Sequence, residues 1–514
     1  MSYNNYLVIQ KIVKLLHSDK DKIRLIRTCK FFYSAKNQIR FNKFPLFYYC
    51  SHVAKRNNRE NSTDAILDYI HKNKDFVANG LPNKVKVVEI NNKLECEVFN
   101  QVFLSSVNVQ EICYHWTPFK VQSIFTPYQN RNLTESQFPL TILSIKILDK
   151  DFSRDITDDC FPKSLQSLYI ETNCVIRIVS VPQNLEELTI AAQEIKNLSK
   201  DRKKTEFRGF NHQISDGLLP KGLVKLELGY SFNTLLTPGC LPSSLQYLAM
   251  YGYNHEFQLG TLPNQLKTLI LGLYDREIVH LPPNLEILDF QDKWMSPTGF
   301  NKPLVRESFP VSLKTLKLGH NFDQLLNNGL PVTLTSLSLR YYYRELSVGC
   351  FPMNLYHLEL NCNSISMDKL NEVLPIGCRS LTFGYPFDKS LENIPNYIEY
   401  LELNGYPHQI TKLPDQLKSL KVNGYPHSFS LQILPQSLEV LVLNYTFQYS
   451  IVGSKFPSSL KSLTLGAKFY IGGFQLDMLP PNLIHLQLAA SDRLYMSKFA
   501  PTLQDNLFLD IVYV

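Results

Sequence analysis

The sequence predicts a repeat solenoid, built of coils of about 21 residues that each add one short strand to a parallel β-sheet. Three observations predict it. The motif (Leu/Phe)-Pro-x-x-Leu-x-x-Leu-x-Leu recurs in sixteen clear copies, headed by Pro139, Pro162, Pro182, Pro220, Pro242, Pro263, Pro282, Pro310, Pro331, Pro352, Pro375, Pro395, Pro414, Pro435, Pro457 and Pro480. Successive copies lie 19–23 residues apart except across two long gaps, which hold insertions near residues 193–212 and 291–303. Proline (29) outnumbers glycine (21), as expected if nearly every coil begins with a proline. Pro82 heads an earlier match through Val85, Val88 and Ile90, and Pro501 a last, shifted one with Leu507 and Leu509 in place.

Within a coil, each part has a physical reason. The closing Leu-x-Leu alternates with period two, so it reads as a short strand with both leucines inward. Proline fixes φ and donates no ladder hydrogen bond, so it belongs before the strand. Gly or Asn often follows, as at Gly229, Gly272, Gly319, Asn404, Gly405 and Gly424, and marks the turn that ends the strand. A second apolar anchor comes next in many copies, including Phe232, Phe322, Phe387, Phe447 and Phe469. One coil cannot bury its leucines alone; stacked neighbours can.

The segment from Leu219 to Asn233, LPKGLVKLELGYSFN, resembles the FNIP repeat, a short relative of the leucine-rich repeat found in social amoebae and some giant viruses. His320-Asn321-Phe322-Asp323-Gln324 and Tyr385-Pro386-Phe387-Asp388 look like variants of its Phe-Asn segment, and Pro407-His408 and Pro426-His427 stand in that place in other coils. The resemblance covers residues 138–510 and implies a leucine-rich-repeat-like solenoid that binds protein.

Residues 1–60 hold thirteen basic and three acidic side chains, so the chain's net charge of +7 divides into +10 for this end and −3 for the rest. The end reads as short helices, with Leu7, Ile9, Ile12, Val13, Leu15 and Leu16 on one apolar face. Ser18-Asp19 caps a second segment from Ile23 to Tyr33. Asp21-Lys22-Ile23-Arg24-Leu25-Ile26-Arg27-Thr28-Cys29-Lys30-Phe31-Phe32 resembles the second half of an F-box, with Phe32 at the usual tryptophan position. The Leu-Pro that opens most F-boxes is replaced by Tyr6-Leu7-Val8-Ile9. The resemblance divides the chain into an F-box-like module (1–48), a helical linker with degenerate first repeats (49–137) and the solenoid (138–510). It implies that Leu7, Ile9, Ile12, Val13, Leu16, Ile23, Leu25, Cys29 and Phe32 bind the acidic Skp-type adaptor of a cullin ubiquitin ligase. Two other readings stand beside it: a plain helical cap on the first coil, and a nucleic-acid arm, although no recognised nucleic-acid module is present. Ser62-Thr63-Asp64 caps a short helix over Ala65, Ile66, Leu67 and Ile70.

Motifs for chemistry are sparse. The sequence has no G-x-S-x-G, P-loop, H-E-x-x-H or dinucleotide glycine pattern. None of the ten cysteines forms a C-x-x-C pair, and Cys160, Cys240 and Cys350 each sit two residues before a repeat proline, which suggests a small buried slot. Asp155, Asp158 and Asp159 read as solvated loop. The basic run Lys196, Lys200, Arg202, Lys203, Lys204 and Arg208 is an exposed loop or a nuclear signal. His408 and His427 should stack on neighbouring coils, as repeated turn chemistry or as a shared ligand.

The expected target-binding residues are a row of tyrosines just past the strands. They are Tyr230, Tyr341, Tyr385 and Tyr445, ten residues after the proline, and Tyr253, Tyr274, Tyr342, Tyr406 and Tyr425, eleven after it. They line a rim for a partner or pack over one another to seal the coil edge. The outward sheet face is set by the residues five and seven after the proline. It is small or polar at Ser144, Ser167, Thr268, Thr315, Ser336, Ser380, Ser419 and Ser462, interrupted by Tyr169, Tyr247, His357, Tyr400 and His485.

The expected function is a non-catalytic substrate receptor of a Skp–cullin–F-box ligase that holds an unknown protein target on its repeats. A scaffold without a ubiquitin role is the alternative. No cofactor, metal, nucleic acid or membrane partner is expected. No run of about 18 apolar residues exists to span a bilayer, and Gln10, Lys11 and Lys14 interrupt any signal-peptide core. A cytoplasmic protein, with the nucleus possible, is the expectation.

Overall fold

The computed structural model describes residues 87–90, 111–114, 142–148, 152, 155–191, 209–290, 298–326, 329–340, 342–360, 369–384, 387–443, 451–452, 455–466, 478–488 and 510–513. The chain divides into two units, Met1–Leu266 and Lys267–Val514. In the first, strands β1 (Val87–Ile90), β2 (Glu111–Tyr114), β3 (Ser144–Ile147), β4 (Ser167–Glu171), β5 (Glu187–Ala191), β6 (Lys225–Leu228) and β7 (Tyr247–Met250) pair in sequence order, every pair parallel. In the second, β8 (Thr268–Ile270), β9 (Ile287–Asp289), β10 (Thr315–Leu318), β11 (Ser336–Leu339), β12 (His357–Leu360), β13 (Ser380–Phe383), β14 (Tyr400–Asn404) and β15 (Ser419–Asn423) do the same. The short β16 (Phe429–Ser430) and β18 (Ile451–Val452) pair on the return side, while β17 (Val440–Leu443), β19 (Ser462–Leu465), β20 (His485–Leu488) and β21 (Asp510–Tyr513) continue the main ladder. The fold is a parallel β-solenoid of the leucine-rich-repeat type.

The register pairs equivalent motif positions. Leu316, Leu337, Leu358, Leu381, Leu401 and Leu420 lie opposite one another across six strands. Each is at most 2% exposed. The leucine three residues after the proline is equally buried, as at Leu223, Leu313, Leu334 and Leu417. The proline heads a β-turn rather than touching the strand. Its carbonyl accepts the backbone N–H three residues on, at 3.1 Å in Leu223 to Pro220 and 3.0 Å in Leu355 to Pro352, in fifteen coils, with Cys378 and Ile398 in place of leucine in two of them. Proline suits the first turn position because only its carbonyl is used there.

The residue two after the proline stitches the turn to the previous coil. Ser244 Oγ donates to the Leu223 carbonyl at 2.7 Å, Thr333 Oγ1 to Leu313 at 2.9 Å and Ser459 Oγ to Leu438 at 2.7 Å. Asn354 Nδ2 donates instead to the Val332 carbonyl at 3.1 Å.

A second turn ends each strand and aims an aromatic ring inward. The Phe232 N–H donates to the Gly229 carbonyl, Phe322 to Gly319 and Phe387 to Gly384. Glycine is required where coils approach closely: a Cβ at Gly252 would collide with the Tyr230 carbonyl oxygen. Gly405 and Gly424 meet a different demand, a left-handed backbone with φ of 69°. The inward rings stack from coil to coil, Phe210 on Phe232 at 5.7 Å and Phe232 on Tyr253 at 6.3 Å in the first unit. In the second, Phe290, Phe300, Phe322 and Tyr342 stack in series at 4.2, 6.0 and 6.1 Å.

The residue after each ring forms a polar ladder. Asn211 Oδ1 accepts the Asn233 N–H at 2.8 Å, and Asn233 Oδ1 accepts the Asn254 N–H at 2.8 Å. Asp275, Asn301 and Asp323 repeat the pattern at 3.1 and 2.9 Å. This accounts for the recurring Phe-Asn: the ring extends the apolar stack and the amide caps the next coil. Both insertions fall between a strand and such a pair, Phe210-Asn211 and Phe300-Asn301, so β5 still pairs with β6 and β9 with β10.

Strand β2 pairs between β1 and β3, within the stretch read as a linker with degenerate first repeats. One sequence expectation is revised. The last strand lies four residues later than the Pro501 motif implies: Ile511 and Tyr513, not Leu507 and Leu509, pair with Leu486 and Leu488. The F-box-like residues Leu7, Ile9, Ile12, Val13, Leu16, Ile23, Leu25, Cys29 and Phe32 and the helix proposed over residues 65–70 lie outside the described residues.

The polar ladder predicts an asymmetric response at Asn233. Asn233→Ala removes the acceptor for the Asn254 N–H and should cost about 0.5–1.5 kcal/mol. Asn233→Asp keeps an acceptor and should stay close to wild type. Urea unfolding of the two variants distinguishes them; equal losses would contradict the ladder.

Candidate functional site

The tyrosine row is interior. Tyr253, Tyr274, Tyr342, Tyr406 and Tyr425 are each at most 3% exposed and Tyr230 is 7% exposed, so the expectation that their rings offer a binding rim is corrected. They continue the aromatic stack because the turn after the strand directs that position inward. Tyr230 packs on Tyr251 at 5.2 Å, and Phe387 on Tyr406 at 6.2 Å. Tyr425 donates no signal to the surface either: its hydroxyl accepts the buried Ile410 N–H at 2.8 Å. Burial pushes the Tyr342 and Tyr406 hydroxyls up to about 12. Tyr341, Tyr385 and Tyr445 lie outside the described residues.

The paired histidines serve the turn. His408 Nε2 meets the Asp388 carbonyl at 2.7 Å and His427 Nε2 meets the Pro407 carbonyl at 2.5 Å. His255 makes the same contact to Asn233 at 2.7 Å. Each imidazole stands edge-on to the tyrosine two residues before it, at 5.5–5.8 Å. Pro407 and Pro426 have no N–H for the polar ladder, and the histidine that follows supplies the link between coils instead.

The cysteine slot is as expected. Cys160, Cys240 and Cys350 are free and buried, and each N–H closes a turn onto Thr157, Thr237 or Ser347. Burial raises the Cys350 and Cys378 thiols to about 11, which keeps them neutral and unreactive at ordinary pH. Asp158 is held by Ser180 Oγ, which donates to Oδ1 at 2.7 Å. Among the described residues no group of three His, Cys, Asp or Glu side chains is placed to hold a metal ion. The basic run of residues 196–208 lies outside them.

The surface that remains is the outward face of the sheet and the turns at its edge. Four residues after the proline, charges alternate between coils: Lys267, Glu286 and Lys314, then Arg379, Glu399, Lys418, Glu439 and Lys461. Ion pairs join neighbours along this row, Lys314 to Glu286 at 3.0 Å, Lys418 to Glu399 at 2.8 Å and Lys461 to Glu439 at 2.8 Å. The Lys314 ammonium holds the Glu286 carboxyl below its ordinary value, and Lys461 does the same for Glu439. A parallel row lies inside it, with Lys317 on Asp289 at 3.1 Å and Lys421 on Glu402 at 3.0 Å. Exposed pairs of this kind are screened by salt. Their regularity keeps like charges out of adjacent positions and leaves no basic tract for a phosphate backbone along this row.

The alternation breaks before β11 and β12, where Thr335 and Tyr356 hold the position. Tyr356 (44% exposed) and Tyr400 (40%) approach to 6.4 Å, and the Arg379 guanidinium lies 5.2 Å from the Tyr397 ring. His357 Nδ1 meets Ser380 Oγ at 2.8 Å, and burial lowers the His357 pKa from its ordinary 6.5. The sequence reading noticed Tyr400 and His357 only as interruptions. Tyr356 was missed because it sits one position before the strand, where period-two reasoning assigns no face.

FNIP repeats occur in four places in the chain, at residues 210–252, 300–342, 368–406 and 425–468. Three of these four matches begin on an aromatic ring or end just past one that stacks inside the coil, which is where the structure locates the repeated device. Among solved structures, the chain is similar to that described as CroV588, a novel circular LRR protein, with 21% identity, a TM-score of 0.45, and 81% of this chain and 71% of that one covered. It is also similar to YopM from Yersinia enterocolitica WA-314, with 18% identity, a TM-score of 0.35, and 83% and 87% covered. No curated protein matches. No helix among the described residues is long and apolar enough to cross a membrane.

The lowered pKa of His357 fixes the sign of a pH effect. The unfolded chain takes up a proton near 6.5 while folded His357 resists it, so stability is full above that value and falls as the pH drops toward the folded pKa. Urea midpoints measured at about pH 7.5 and about pH 5 should differ more in wild type than in His357→Gln, which keeps a partner for Ser380 without titrating. Equal differences would contradict the assignment.

Proposed function

We propose that the chain is a target-holding subunit that performs no chemistry of its own. The repeat solenoid is of a type suited to protein–protein interaction. What supports a protein target, rather than a nucleic acid, is the mixed outward face: short ion-paired rows around exposed Tyr356 and Tyr400 and half-buried Arg379 and Tyr397. Tyrosine and arginine are the residues that protein interfaces concentrate.

The finer proposal adds the N-terminal segment. Residues 5–44 resemble an F-box, and the +10 charge of residues 1–60 suits an acidic Skp-type adaptor. In that arrangement the protein recruits a cullin ubiquitin ligase and holds a target beside it, raising the target's effective concentration. Co-purification of the full chain with a Skp-type adaptor tests this. A stable complex, lost on combined Leu25→Asp and Phe32→Asp substitution, is expected. A chain that binds no such adaptor, or binds it equally after the substitutions, returns the protein to the alternative of a scaffold without a ubiquitin role.

A further inference from the structure

We propose that the turns of four consecutive coils, at Val311, Val332, Met353 and Ile376, form a docking row for an amphipathic α-helix of a partner protein. This inference rests on the protein-binding reading above and names its partner's shape.

Each of the four residues follows a repeat proline directly. The neighbouring positions have fixed tasks. The proline carbonyl closes the turn, the next side chain but one donates to the previous coil, and the third goes inward. The first position has no such task and faces solvent. In other coils of the same unit it holds Pro283, Asn396, Asp415, Gln436, Ser458 or Pro481, residues of ordinary turn chemistry. Only from 311 to 376 does it hold large apolar side chains in successive coils, and they are 85%, 56%, 72% and 71% exposed. Three of the four are poor turn formers, so they oppose local preference without any gain in burial. A sequence that breaks its own local rule in one place does so for function.

The register aligns the four. Thr315, Ser336, His357 and Ser380 lie opposite one another in the ladder, and each docking residue stands four positions before one of them. At about 4.8 Å per coil the row is about 14 Å long. A helix offers apolar side chains once per turn, about 5.4 Å apart, and covers that length in three turns. An extended strand offers same-face side chains only about every 6.8 Å and falls out of step. The row exposes on the order of 400 Å² of apolar surface, enough to mark a contact site. That is about half of the roughly 800 Å² per partner that a stable dimer buries, which favours a single segment over a second copy. The row beside it carries Lys314, Thr335, Tyr356 and Arg379; Lys314 pairs with Glu286 at 3.0 Å and Arg379 with Glu399 at 3.6 Å, in the coils on either side, so an acidic flank on the helix shares these cations with them. Arg379 is pinned over the turn by its hydrogen bond to the Ile376 carbonyl at 2.5 Å.

The test uses a fluorescein-labelled stapled helical peptide with leucines at i, i+4, i+7 and i+11 and glutamates along one flank. Its anisotropy is titrated with the full chain. Saturable binding is expected, weakened by about tenfold or more in the Val332→Lys, Met353→Lys double variant. Leu259→Lys, exposed in the other unit, should leave it unchanged. No binding, equal binding by the double variant, or equal binding of an extended peptide with alternating leucines would overturn the proposal. So would a concentration-dependent dimer in sedimentation that the double variant abolishes. None of these results touches adaptor co-purification, so failure here and failure of the ligase reading are separable.

Discussion

Everything in each unit depends on one constraint: a coil of about 21 residues buries its leucines only against the coils on either side. Leu316, Leu337 and Leu358 are wholly buried because their strands pair in register, and the strands pair in register because those leucines share one layer. Removing any one of them should cost about 2–5 kcal/mol through lost burial and the cavity left behind. Parallel sheets are ordinarily covered on both faces. Here one face meets solvent, so its positions alternate between serine, threonine and paired charges.

Stacking alone would not fix the spacing. Three smaller devices do so: the hydroxyl or amide two residues after the proline, the aromatic stack, and the Asn or Asp ladder beside it. Each joins a coil to its predecessor at one defined offset. Insertions are accommodated between strand and ring because both joints remain intact on either side of them. The same division of labour leaves the residue after the proline without a structural task, and that freedom lets one edge of the sheet vary.

The strand layer was legible from the leucine spacing, since period two and a fixed proline offset leave one reading. The proline's own role was only half legible. Its place before the strand follows from its missing N–H, but the turn it heads needs the carbonyl partner at Leu223 or Leu355 to be seen. The tyrosines misled for a physical reason: a ring just past a strand is equally compatible with a rim and with a core. The turn from Met250 to Tyr253 decides for the core. The exposed row at 311–376 was hidden because its residues are apolar, and apolar residues in a leucine-rich repeat are read as core until their turn geometry is known.

Stability passes from coil to coil through nearest neighbours. Native-state hydrogen exchange on the Leu358→Ala chain tests it most directly. Protection should fall most in β12, next in β11 and β13, and progressively less in more distant strands of that unit. Loss confined to β12, or equal loss across the whole unit, would contradict it.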